Sequence, residues 1–163
     1  MPSLSELIDT YSRTPGKLEF AVDGLSESKV KWKPNPKKWS IREILCHLAD
    51  SETVALSRIH LIVASSPDAQ PVLVAYDQDE LVSRYAYNAQ DELTALQTFK
   101  YLRKHAAALL KSLPESAFQK TGNHTERGKI SIMDLLELYT KHGETHLRQI
   151  EEIKELLKND SGY

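Results

Sequence analysis

From Leu81 to Leu113 the chain returns to one line in alternating steps of four and three: Leu81, Tyr85, Asn88, Glu92, Ala95, Phe99, Leu102, Ala106, Leu109 and Leu113. A strand repeats every two residues and cannot carry this pattern, whereas a helix of 3.6 residues per turn keeps it on one face. Such a seam lets helices pack lengthwise in a bundle. Three more segments share the period. Leu4, Leu7, Tyr11, Leu18, Val22 and Leu25 define a first helix, with Pro15 predicting a kink or two abutting helices. Ile41, Ile44, Leu45, Leu48, Ala55, Ile59 and Ile62 define a second, opened by the capping box "SIRE" at Ser40. The seam from Leu81 is the third, with a cap-like start at Asp77. Ile132, Leu135, Leu136, Tyr139, His142, Gly143, His146, Ile150, Ile153 and Leu157 define a fourth, opened by "SIMD" at Ser131. No segment reads as a strand. The expected fold is all-α, a four-helix bundle.

The connectors are long for helix junctions, which usually take about two to eight residues. Ser26–Trp39, Ser65–Asp77 and Pro114–Lys129 are rich in Pro, Gly and Asn; loops of this length carry crossovers or cover a site. Residues 1–158 are expected to form one domain and 159–163 a frayed tail. The 163 residues, 40% hydrophobic, suffice for one full core.

A formal net charge of −2 with both signs dispersed offers nucleic acid no basic stripe. The lone cysteine, Cys46, rules out an internal disulfide and fits a reducing compartment. No signal peptide is recognisable, and no run approaches the roughly 18–20 apolar residues of a membrane span. A cytoplasmic protein without nucleic-acid or membrane partners is expected.

Within "KHGETHLRQI", His142 and His146 fall about 80° and 40° from Ile132, on the apolar face of the fourth helix. Residues four apart are neighbours on a helix surface, so both rings can reach one ion. Two core histidines, each with its own hydrogen-bond partner, are the alternative. Glu144 follows His142 by two positions, so this is not the zinc-protease motif H-E-x-x-H, and it points about 200° away toward solvent. Gly143 between the rings allows either a close helix approach or room for a ligand. Catalytic metal sites usually take a third protein ligand. His47, on the border of the second helix's stripe, is the candidate, with Asp50 placed to orient it. His60 and His105 read as surface residues and His124 as an exposed loop residue. Asn88 and Glu92, polar on the third seam, are candidates for lining a cavity or for a wet bundle end. Gln149, three residues after His146, is a candidate for supporting a ligand from behind, and Cys46 reads as a small core residue.

"KWSIREILCHLADSE" together with "LLELYTKHGETHLRQIEEI" resembles the DinB-like, or DinB/YfiT, superfamily, with "TPGKL", "KWKPNPKKWS" and "YDQDEL" extending the likeness over nearly the whole chain. The resemblance implies a four-helix bundle holding a divalent metal, zinc or nickel, through His47, His142 and His146. It implies a metal-dependent enzyme, in first place a thiol S-transferase acting with a low-molecular-weight thiol. A metal-dependent hydrolase or a non-catalytic metal-binding protein is the alternative. It also implies a homodimer, toward which Leu93 and Tyr101, apolar or aromatic off the third seam, point. No residue stands out as the general base, so the catalytic groups stay unassigned.

Overall fold

The computed structural model describes residues 3–66 and 68–160. In chain order the elements are α1 (Leu4–Val22), α2 (Glu27–Lys31), α3 (Ile41–Ala64), β1 (Val72–Leu73), α4 (Gln78–Arg84), α5 (Glu92–Ser112), β2 (Thr121–His124), β3 (Gly128–Ser131) and α6 (Ile132–Asp160). The four long helices form the bundle: α3 packs along α5 and α6, and α1 along α5 and α6. Their starts are set by local chemistry. The Ser40 hydroxyl accepts from the Glu43 amide at 3.1 Å while the Glu43 carboxylate accepts from the Ser40 amide at 2.7 Å. Ser131 and Asp134 make the same reciprocal pair before α6, and Ser3 and Glu6 before α1. Each pair satisfies amides that the first helical turn leaves without partners.

The structure corrects the sequence reading in two places. The long connectors contain a three-stranded sheet where no strand was expected. β1 pairs in parallel with β2 (Val72 opposite Asn123), and β2 pairs antiparallel with β3. Strands of two to four residues are too short to display a period. The third helix is also not continuous. α4 ends at Arg84, Ala86 takes a left-handed conformation (φ 48°), and Asp91 caps a new helix by accepting from the Leu93 amide. Asn88 and Glu92 therefore sit at the bundle end, where Asn88 joins the Ser40 hydroxyl (2.9 Å) and Glu92 pairs with Arg42 (2.7 Å). Of the two outcomes expected at Pro15, two abutting helices are excluded, because α1 runs through it as a single helix. α6 runs to Asp160, and residues 161–163 of the expected tail lie outside the described ones. Leu93 and Tyr101 are exposed, as their off-seam positions predict.

The core is not uniformly apolar. One cluster, at the sheet end, joins Ile8, Ala55, Ile59, Leu73, Leu110, Phe118, Ile130 and Leu135. A second, at the other end, joins Leu18, Ile44, Leu48, Phe99, Ile150 and Ile153. Between them every long helix turns a polar or small residue inward: Thr14, Glu52, Arg103 and Gly143. At the centre of this belt Arg103, fully buried, pairs with Glu52 at 2.8 Å. Its guanidinium also donates to the backbone carbonyls of Tyr11 (3.1 Å) and Tyr139 (2.5 Å), and lies over the Tyr11 and Phe99 rings. The Tyr11 hydroxyl donates to the other Glu52 oxygen. A buried ion pair persists only when its polar atoms find partners, and here each guanidinium nitrogen and both carboxylate oxygens have one.

Two helix-breaking residues acquire their reason from this guanidinium. Pro15 has no N–H to return to the Tyr11 carbonyl four residues earlier, so that carbonyl is open to Arg103. At Gly143 a Cβ would lie 2.9 and 3.0 Å from the two Arg103 terminal nitrogens and 3.0 Å from Thr14 Cγ2.

Candidate metal centre

α3 carries His47 and α6 carries His142 and His146 into the edge of the belt. The three rings meet edge to face, with interplanar angles of 76°, 65° and 87°. Their Nε2 atoms converge: His142 Nε2 lies 3.0 Å from that of His47 and 3.0 Å from that of His146. All three ligating nitrogens fall within 4.8 Å of one another. A tetrahedral ion with bonds of 2.0–2.1 Å needs its nitrogens about 3.3 Å apart. The spacing therefore fits a metal, and three neutral nitrogens with no carboxylate among them suit zinc, nickel or copper better than magnesium or calcium. The three residues singled out in the sequence are the three brought together.

His47 is 2% exposed, while His142 and His146 keep part of their surface open. Burial, with His146 beside it, holds the His47 pKa at about 3. Burial, then His146, His47 and Arg103, holds that of His142 at about 2. Burial lowers His146 as well, opposed by its hydrogen bond to Gln149. All three rings are neutral at pH 7, the form that binds a metal. Gln149 Oε1 lies 2.9 Å from His146 Nδ1, and Ser51 Oγ lies 3.5 Å from His142 Nδ1. Trp39 stacks on His146 (9° between planes) and tilts against His47.

Other expectations resolve differently. Asp50 does not hold His47 through a hydrogen bond of its own; its carboxylate accepts from the Tyr87 hydroxyl. His60 and His105 are exposed, as read, but His124 is 5% exposed at the end of β2. Its Nδ1 accepts from the Glu126 and Arg127 amides and closes the β2–β3 turn. Cys46 is core, its thiol pushed up to about 11 by burial and by Asp50. Glu144 lies away from the histidines, as its angle requires, but binds Lys17 and Thr14 on α1 rather than only water. Sequence reasoning passed over Arg103 and Glu52. Glu52 falls on the second seam between Leu48 and Ala55, and Arg103 stands four residues after Phe99 and three before Ala106, beside Leu102 of the third seam, so opposite charges on two facing helices were the readable signal.

This fold and this cluster define a class, helical bundles with a three-histidine centre. Residues 10–150 match the DinB superfamily. The chain is 30% identical over 147 residues to "Putative metal-dependent hydrolase OB0782" of Oceanobacillus iheyensis, covering 90% of this chain and 83% of that one. It is 28% identical to "Uncharacterized protein YuaE" of Bacillus subtilis, covering 84% and 90%. The structure of YfiT from Bacillus subtilis, described as "a probable metal-dependent hydrolase with an unusual four-helix bundle topology", superposes with a TM-score of 0.88 at 23% identity, covering 97% of this chain and 91% of that one. The chain belongs to the DinB superfamily.

Proposed function

We propose that His47, His142 and His146 hold one divalent metal ion, zinc or nickel, and that the protein is a metal-dependent hydrolase. The observation that carries this reading is the convergence of three neutral Nε2 atoms on one point. Buried polar atoms are ordinarily satisfied, and three imidazoles sharing their inward nitrogens have at most one proton per pair to share. When bound, the ion supplies Lewis acidity and lowers the pKa of a water molecule or thiol that it binds.

The protein's own groups prepare the site for that chemistry. Neutral imidazoles leave the dication's charge uncompensated, so an anionic nucleophile or an anionic transition state is favoured there. His47 seals the inner side, while the partly open His142 and His146 leave a way in. Trp39 walls one side with an apolar ring. The names of the relatives favour water as nucleophile over the thiol that the sequence resemblance implied.

The test is metal analysis of the purified protein beside the three single alanine variants, with hydrolysis of an activated ester such as p-nitrophenyl acetate. We expect about one metal per chain in the wild type, a sharp loss in each variant, and activity that chelation removes and added metal restores. Full metal occupancy in all three variants refutes the site. Turnover that requires a small thiol, with that thiol shifting the spectrum of cobalt-substituted protein, replaces hydrolysis by thiol transfer.

A further inference from the structure

We infer that Gln149 is a positioning residue of this centre, fixing His146 in the tautomer whose Nε2 lone pair faces the cluster. The inference rests on the metal-binding reading above.

A neutral imidazole has one donor nitrogen and one acceptor, and the partner of one decides the role of the other. Gln149 stands three residues beyond His146 on α6, and its side-chain oxygen lies 2.9 Å from Nδ1. With the oxygen facing the ring, Nδ1 carries the hydrogen and donates. Nε2 is then left with its lone pair, directed at the point shared with His142 and His47. The reverse orientation, with the amide nitrogen toward the ring, places the hydrogen on Nε2. That hydrogen would occupy the space where the three nitrogens converge and oppose a cation there. The side chain's orientation thus sets the sign of its effect on metal affinity.

The other ligands lack so firm a partner. His142 Nδ1 is 3.5 Å from the Ser51 hydroxyl, beyond the usual range of about 2.5–3.2 Å. Trp39 stacks flat on His146 and restrains the plane of its ring. The stack fixes the plane and Gln149 fixes the proton, so His146 is the ligand whose geometry is most nearly set before any ion arrives. Such outer contacts are typically worth 10–100-fold in metal affinity. Gln149 is partly exposed and lies outside both apolar clusters, so its replacement leaves the core intact.

The experiment compares wild type, Gln149→Leu and Gln149→Glu. Cobalt affinity is measured by competition with a chromophoric chelator, and the His146 tautomer of the metal-free protein by long-range ¹H–¹⁵N NMR at pH 8. We expect Gln149→Leu to bind cobalt about 10–100-fold more weakly at an unchanged urea midpoint of the metal-free protein. Gln149→Glu, still an acceptor, keeps the affinity. The wild-type spectrum shows hydrogen on Nδ1, and Gln149→Leu loses that preference. Wild-type binding with undiminished or tighter binding by Gln149→Leu overturns the role of Gln149 alone, as does hydrogen on Nε2 in the wild type. Failure of the wild type to bind cobalt overturns the metal centre, and this inference with it.

Discussion

Replacing glycine by alanine inside a helix ordinarily stabilises by about 0.5–1 kcal/mol, because alanine loses less backbone entropy on folding. In this protein the same substitution has opposite signs at two helical glycines. Gly16 is exposed on α1 and an added Cβ meets nothing within 4 Å, so Gly16→Ala gains the full propensity term, about 0.5–1 kcal/mol. At Gly143 the Cβ meets both terminal nitrogens of Arg103 and Thr14 Cγ2 at 2.9–3.0 Å. A flexible side chain would step aside, but this guanidinium is held by Glu52 and by two backbone carbonyls. Overpacking costs about 1–3 kcal/mol. If the guanidinium moves instead, each hydrogen bond it loses costs about 1.5–3 kcal/mol. After subtracting the propensity gain, Gly143→Ala destabilises by up to about 2.5 kcal/mol. Urea unfolding of both metal-free variants measures the difference. Equal stabilisation by the two substitutions would show that Arg103 is not fixed where the structure has it.

Removing one partner of the buried pair should be worse than removing both. Glu52→Gln leaves a buried guanidinium without its counter-charge and is expected to cost about 3–5 kcal/mol, while Glu52→Leu combined with Arg103→Met costs less than either single change. A Glu52→Gln protein within 1 kcal/mol of wild type (roughly the level of a neutral hydrogen bond) in urea unfolding contradicts this. The buried histidines also set a pH dependence. Their folded pKa values, about 3 for His47 and about 2 for His142, lie below the ordinary 6.5. The unfolded chain therefore binds more protons, and stability rises with pH. The metal-free protein should be fully stabilised above about pH 6.5 and lose stability progressively as pH falls toward the folded values. A urea midpoint that is flat from pH 7 to 5, or that matches a His47→Ala, His142→Ala double variant at every pH, excludes these rings as the cause.

How much was legible in the sequence depended on the length of the signal. The seams of α3 and α6 repeat over five or more turns, and the apolar residues the period selects are buried, although residues 41–49 of α3 are buried on every face. His142 and His146 were legible because polar rings on such a face stand out; His47, on a stripe border, was a candidate from its helix position, and the family motif pointed to the same residue. The break at 85–91 was hidden because Asn88 and Glu92 kept the arithmetic of the third seam while the backbone left it. Only the left-handed Ala86 and the cap at Asp91 reveal the interruption; alanine does not announce such a conformation, whereas Asp91, a favoured cap residue, was the readable signal. The sheet was hidden because Val72–Leu73 finds its partner about fifty residues later, a pairing no local pattern encodes. Pro15 and Gly143 looked like separate defects of two helices. They share one cause, and that cause was visible only once Arg103 had been placed between them.

The belt's position midway along the helices has a consequence for how the molecule opens. Helix ends fray at little cost in free energy, whereas amides at the centre of a packed bundle become accessible only when the whole domain unfolds. The turn from Tyr139 to His146 lies between two apolar clusters and is tied across to α1, α3 and α5 through one side chain. Its amides belong among the slowest to exchange with deuterium, at the rate of global unfolding. An ion arriving at such a place finds a turn already formed. It should raise protection evenly among the amides that exchange through global unfolding instead of ordering one segment, and chelation should speed their exchange by a single common factor while leaving the frayed ends unchanged.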